Sequence, residues 1–232
     1  MLALILYMIL LLFAGLHKPR LTIASLFFKI LLRWSGIRVE STLPKETFLT
    51  KKRVLIVSNH VSYLDVLILS SLQPCVFLAK SEVSNWPVFG WVARALGCVF
   101  VKRDSLMGRA CALRTCLLHL GHSNLAIFPE GTTTASAHPH AANWSKGHAW
   151  LARRAALDAV LCIGLHFENQ PQRAWTDDQS LIPHLFKTLG EKTIRVKVSG
   201  SWSYIKPHLN STALANSTWL NVCEAVRHVY SG

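Results

Sequence analysis

Short runs of apolar, mostly β-branched residues recur along the chain at 54–58, 76–79, 98–101, 125–128, 160–167 and 194–198. Runs this short, bounded by polar or turn-forming residues, predict buried strands. Between them, apolar residues fall at helical spacing over 63–72, 86–96, 106–120 and 146–156, and again over 211–230 at the C-terminal end. Strands that alternate with helices in this way predict an α/β fold with a sheet flanked by helices. The last run alternates Ile194, Arg195, Val196, Lys197 and Val198, a pattern suited to an edge strand with one wet face. Residues 170–190 interrupt the alternation as an excursion containing Trp175, Asp177, Asp178 and the helix-like start Pro183-His184.

The N-terminal pattern is different. Residues 1–16 carry no charged side chain, and the run stops at His17-Lys18-Pro19-Arg20. Sixteen helical residues reach only ~24 Å, short of a ~30 Å hydrocarbon core. A secretory signal would carry a basic start and a small-residue cleavage site, and neither is present. Apolar residues resume over 21–32 with Lys29 and Arg33 interposed, as expected of an amphipathic helix lying among lipid headgroups. Two helices joined at Pro19 are therefore expected to anchor the chain over residues 1–36, with 37–232 as one compact domain. The alternative is that both helices pack on the core. If the first helix spans, the cluster Lys18, Arg20, Lys29 and Arg33 places everything after it on the cytoplasmic face of a membrane.

Composition narrows the class of partner. In 232 residues, 25 Lys and Arg face 12 Asp and Glu, a net charge of +13, while 51% of residues are hydrophobic. So apolar a chain is not disordered, and so basic a chain points to an anionic partner. No nucleic-acid-binding module is present, and eight Trp residues tilt the choice toward a lipid bilayer. The six cysteines include no C-x-x-C pair and read as reduced, mostly core residues. His119/His122 and His138/His140 lack companions at ligand spacing, so no metal site is expected.

Polar residues follow four of the strand-like runs, where ligands gather in open α/β sheets. Asn59 to Asp65 follow the first, Lys80-Ser81-Glu82 the second, Lys102-Arg103-Asp104 the third, and Pro129-Glu130-Gly131-Thr132 the fourth. His60 and Asp65 stand about 140° apart on a continuous helix. They meet if His60 lies on the turn before the helix and Asp65 in its second turn. Asp65 would then accept from Nδ1 and leave Nε2 free as a base for a substrate hydroxyl. A helix-capping network is the alternative reading of the same pair. Arg103 offers a planar fork for a phosphate and Lys102 a point charge beside it. Gly131 permits a tight turn whose N–H groups face an anion, with the Thr132 hydroxyl added. Glu130 would hold Arg103 or the acceptor glycerol, and Lys80 a thioester oxyanion or carrier phosphate.

Asn59-His60-x4-Asp65, then Gly97-x-x-Phe100-Val101-x-Arg103, then Phe128-Pro129-Glu130-Gly131-Thr132 resembles the glycerolipid acyltransferase family, which includes 1-acylglycerol-3-phosphate O-acyltransferases. The likeness covers residues 35–200, including Trp86-Pro87-x-Phe89-Gly90 and Lys146-Gly147. It implies a mixed, mostly parallel sheet flanked by helices, with an N-terminal membrane-associated helix pair. It also implies transfer from acyl-CoA or acyl-carrier protein to a lysophospholipid acceptor, giving phosphatidic acid, with no cofactor beyond that co-substrate. His60 and Asp65 would be the catalytic pair, and Arg103, Glu130, Gly131 and Thr132 would hold the acceptor phosphate. Thr133 stands where many members carry Arg, and the run 160–165 lacks a proline often found there. The excursion around Trp175 is similar to members that acylate lyso-ornithine lipid, the alternative acceptor. A different class of function, a basic monotopic lipid-binding protein without chemistry, would have no need of His60, Asp65, Arg103 and Glu130 at strand ends.

Overall fold

A computed structural model of the chain describes residues 17–44, 53–136, 138–168 and 193–230, with isolated positions between 174 and 190. Seven strands form one sheet: β1 (Ile37–Thr42), β2 (Leu55–Ser58), β3 (Cys75–Lys80), β4 (Val99–Val101), β5 (Asn124–Ile127), β6 (Ala159–Phe167) and β7 (Ile194–Tyr204). Their spatial order is β1-β7-β6-β2-β5-β3-β4. Every pairing is parallel except β6 with β7, so the sheet is mixed and mostly parallel. Its helices are α1 (His17–Trp34), α2 (Leu64–Leu72), α3 (Phe89–Leu96), α4 (Leu106–Leu120), α5 (Gly147–Arg154) and α6 (Ser211–Tyr230).

Because successive strand residues point to opposite faces, the central strands feed two cores. Leu55, Val57, Leu125 and Cys162 join Cys116 of α4, Leu151 of α5 and Val226 of α6 on one face. Ile56, Phe77, Ala126 and Ile163 join Ile68 and Leu69 of α2 on the other. Strands buried on both sides must be apolar throughout, which is why they stood out as continuous runs.

Three expectations change. The run 194–198 lies inside the sheet, because β1 pairs with β7 from Ile37↔Ile194 to Thr42↔Ser199 and takes the edge position. With only Ile37 buried in Ile-Arg-Val-Glu-Ser-Thr, β1 carries too weak an alternation to be read as a strand. The predicted helix over 86–96 starts only at Phe89, after a 3₁₀ turn at Ser81–Asn85 and the positive φ of Val88. Helix α1 runs through Pro19 and Arg20 without a joint there.

Leu21, Ala24, Phe28 and Leu32 of α1, spaced by three and four, are buried, and the helix packs along α2. The helix is thus partly core. Its far side leaves Leu26, Ile30 and Trp34 exposed beside Lys29 and Arg33. Residues 1–16, the first half of the expected anchor, lie outside the described residues, and no described helix is long and apolar enough to cross a membrane.

At Gly164 of β6 helix α6 passes close over the sheet. A Cβ there would collide with the Val226 nitrogen and would stand 2.6 Å from the Ala225 carbonyl carbon and 2.9 Å from the Ala225 Cβ. Gly164→Ala is expected to lower stability by about 1–3 kcal/mol through overpacking of α6. Equilibrium denaturant unfolding measures this.

Candidate active site

The chemistry-bearing residues gather where β2, β3, β4 and β5 end. At the end of β2 the Asn59 side chain replaces a further rung of the sheet. Its Nδ2 donates to the Leu165 carbonyl at 2.9 Å, and its Oδ1 accepts from the Leu165 N–H at 2.8 Å. The backbone is thereby free to leave the sheet at His60 with β6 still satisfied.

Asp65 governs the turn that follows. Its fully buried carboxylate uses one oxygen, Oδ2, to accept from Val61 N–H at 2.6 Å, Ser62 N–H at 2.9 Å and His60 Nδ1 at 2.7 Å. The capping network and the base–orienter pair are therefore one arrangement. Asp65 lies in the first turn of α2, not its second, with its own N–H donating to the Ser62 carbonyl at 3.0 Å. An ionised carboxylate only accepts, so Nδ1 carries the proton and the neutral ring presents a lone pair at Nε2. The imidazole, 17% exposed, also stacks on Phe128 at 4.0 Å and 10°, and Phe128 stacks on Phe77 at 6.1 Å. One edge and one face of the ring are held.

The loop after β5 straps the same residue from the other side. Glu130 Oε2 accepts from the His60 N–H at 3.3 Å, its Oε1 accepts from the His140 N–H at 3.1 Å, and Thr134 N–H donates to the His60 carbonyl at 2.9 Å. Burial pushes the Glu130 carboxyl above the ordinary carboxylate range, against the lowering by these N–H groups. Glu130 thus holds the backbone of two loops.

Arg103 Nη1 donates to the carbonyl of Gly131, so the end of β4 grips the turn next to Glu130. Gly131 has the positive φ of 76° that its turn requires, and a Cβ there would press on Arg103 Nη1 at 3.3 Å. The Gly131 N–H closes the turn onto Phe128 O at 3.0 Å and so does not face outward to an anion as expected. Thr132 is half-buried on the same turn, and Thr133 is buried. Lys102 is exposed beside Arg103, and Lys80 makes a surface ion pair with Glu82 at 3.4 Å.

Comparison with known proteins bears on this arrangement. An acyltransferase family profile matches residues 38–167. A lyso-ornithine lipid O-acyltransferase of Pseudomonas aeruginosa is 42% identical over 109 residues, covering 45% of this chain and 42% of that protein. One from Rhizobium meliloti is 30% identical over 208 residues, covering 78% of this chain and 66% of its own. The matches thus span less than two thirds of these relatives' length. Among solved structures, a 1-acyl-sn-glycerophosphate acyltransferase from Thermotoga maritima superposes with a TM-score of 0.73 at 19% identity, covering 100% of this chain and 95% of that one. The two share a fold.

Several residues that shape the site escaped the sequence reading because their partners lie far away in the chain. Thr218 of α6 donates to the Ala215 carbonyl at 2.8 Å and accepts from Trp144 Nε1 at 3.2 Å and His148 Nε2 at 2.7 Å. Trp219 Nε1 donates to the Pro139 carbonyl at 3.0 Å. Helix α6 therefore fastens both ends of the segment whose His140 N–H holds Glu130. Tyr63 similarly reaches His184 Nδ1 at 3.3 Å, and Trp175 N–H donates to the Val61 carbonyl at 3.1 Å, tying the excursion to the turn that carries His60.

The buried His148 offers a test of the hub. Burial lowers its pKa to about 4 from the ordinary 6.5, so the folded state holds it neutral where the unfolded chain takes up a proton. Its contribution is complete above pH 6.5 and is lost as pH falls toward 4. Between pH 7 and 5 the wild type should lose about 2 kcal/mol more stability than His148→Gln, read from denaturant curves at the two pH values.

Proposed function

The chain belongs to the acyltransferase family, and on that premise we propose that it moves a fatty acyl group from acyl-CoA or acyl-carrier protein to the free hydroxyl of a lysolipid. The observation that carries this reading is the 2.7 Å contact between His60 Nδ1 and the buried Asp65 carboxylate. His60 Nε2 takes the proton of the acceptor hydroxyl as its oxygen attacks the thioester carbonyl carbon. The carbon–sulfur bond then breaks, and the departing thiolate takes the proton from the imidazolium. Asp65 stabilises the transient imidazolium by charge and holds the ring in place.

Direct transfer is supported by the state of the thiols. All six cysteines are free, and burial raises the pKa of Cys75, Cys98, Cys116 and Cys162, which suppresses their thiolates.

For the acceptor, Thr133 in place of the arginine common in the family, together with the names of the two bacterial relatives described above, favours lyso-ornithine lipid. Arg103, whose planar guanidinium lies against the Glu130-Gly131 turn, favours the second reading, 1-acylglycerol-3-phosphate converted to phosphatidic acid. Both acceptors reside in a bilayer. The exposed Leu26, Ile30 and Trp34 of α1, with Lys29 and Arg33 among them, suit the headgroup layer on the cytoplasmic face of a bacterial inner membrane. Under this reading Lys80 and Lys102 remain near enough to the strand ends to meet donor phosphates.

Purified protein offered both lysolipids with labelled acyl-CoA and acyl-carrier protein should yield an acylated lipid identifiable by mass. Transfer to neither acceptor would reject the reading. His60→Ala should reduce turnover by about 10²–10⁴-fold with the circular dichroism melt unchanged. Arg103→Lys keeps the charge and loses the fork, so the KM for a phosphate-bearing acceptor should rise while the donor KM stays the same. The KM for lyso-ornithine lipid should change much less.

A further inference from the structure

We propose that the catalytic domain carries a bilayer-docking surface of its own, the outward face of α4, which seats the enzyme on anionic lipid in addition to α1. This rests on the reading that the acceptor is a membrane lipid.

Helix α4 is apolar on both sides. Its inner face buries Ala112, Cys116 and Leu120. On its outer face Met107, Cys111, Arg114 and Leu118 fall within an arc of about 60°, since each residue turns ~100°. Leu106 and Ala110 lie beside them, and all six are exposed. Leu106, Met107 and Leu118 expose 78%, 73% and 72% of their surface, values far from those of a buried helix with this composition. The more apolar helix α2 is covered by α1, which packs along it. The outer apolar residues of α4 stay in the open.

Charge selects the occupant. Between Asp104 and Glu130 the chain has no carboxylate, while Arg109 and Arg114 are exposed on α4 and Lys102 stands just before it. An apolar stripe that carries Arg114, with Lys102 and Arg109 outnumbering the exposed Asp104 at its start, complements an anionic headgroup layer. A second copy docked through the same face would bring Arg114 against Arg114 with no acid to pair. An acidic carrier protein would concentrate at the strand ends near His60, whereas the exposed apolar residues continue to Leu118, about 17 Å along the helix from Met107. A bilayer has no such limit. Leu21, Ala24 and Phe28 of α1 and Ala112, Cys116 and Leu120 of α4 enter the same core, so the two helices cover one side of the sheet together.

The test uses the full chain and vesicles without donor or acceptor, so its outcome is independent of acyl transfer. Met107→Glu with Leu118→Glu should weaken sedimentation with phosphatidylglycerol-containing vesicles on the order of tenfold or more. Leu220→Glu, an exposed leucine on α6, should bind as the wild type does. Met107→Gln with Leu118→Gln serves if the glutamates disturb folding, and the thermal melts of all variants should match. Unchanged vesicle binding by the double variant would overturn the proposal, as would equal loss in Leu220→Glu. Loss of self-association in sedimentation velocity, with vesicle binding retained, would assign the face to a second copy and overturn it as well.

Discussion

One oxygen of a buried carboxylate organises the active site. Asp65 Oδ2 gathers two backbone N–H groups and the imidazole Nδ1 within 2.6 to 2.9 Å. Hydrogen bonds to a charged group contribute about 1.5–3 kcal/mol each, enough to hold the turn in a shape that its sequence alone would not enforce. The same bonds compensate the cost of burying the charge. Fold and ring geometry are therefore inseparable here: the interactions that let α2 begin also set which nitrogen of His60 is held and which is left free.

That turn is held from outside as well. Glu130 bridges His60 and His140, and α6 grips the His140 segment through Trp219 and the Thr218 hub. A path of hydrogen bonds between side chains and backbone thus connects α6 to His60. Arg103 closes the arrangement from the edge strand by holding Gly131. Such over-determination is what a general base needs, because a displacement of about an ångström in the reacting geometry costs on the order of 10²-fold in rate.

Much of the architecture was legible because the central strands are buried on both faces and must be apolar throughout. Helix α4 coincides with its predicted span, and Leu106–Leu120 is bounded by a capping Ser105, which accepts from Gly108 N–H at 3.1 Å, and by Gly121. Strand β1 was hidden because a polar edge strand has no face pattern beyond Ile37 and Val39. At the site, residue types and spacing revealed His60, Asp65, Arg103 and Glu130 as a group. They did not reveal that Glu130 binds backbone, that the Gly131 N–H is consumed by its own turn, or that Phe128 supports the imidazole. The first and last depend on contacts made only when distant strands lie side by side, and the second on a local turn geometry that residue types alone do not specify.

Asp65 fixes His60 with its proton on Nδ1 and its lone pair on Nε2. Nitrogen-15 NMR of histidine-labelled protein reads this directly, with His60 assigned by comparison with His60→Gln. At a pH where the ring is neutral, the account predicts a protonated Nδ1 coupled to the Asp65 carboxylate, and a redistribution between tautomers in Asp65→Asn. A His60 ring protonated on Nε2, or a tautomer indifferent to Asp65→Asn, would contradict it.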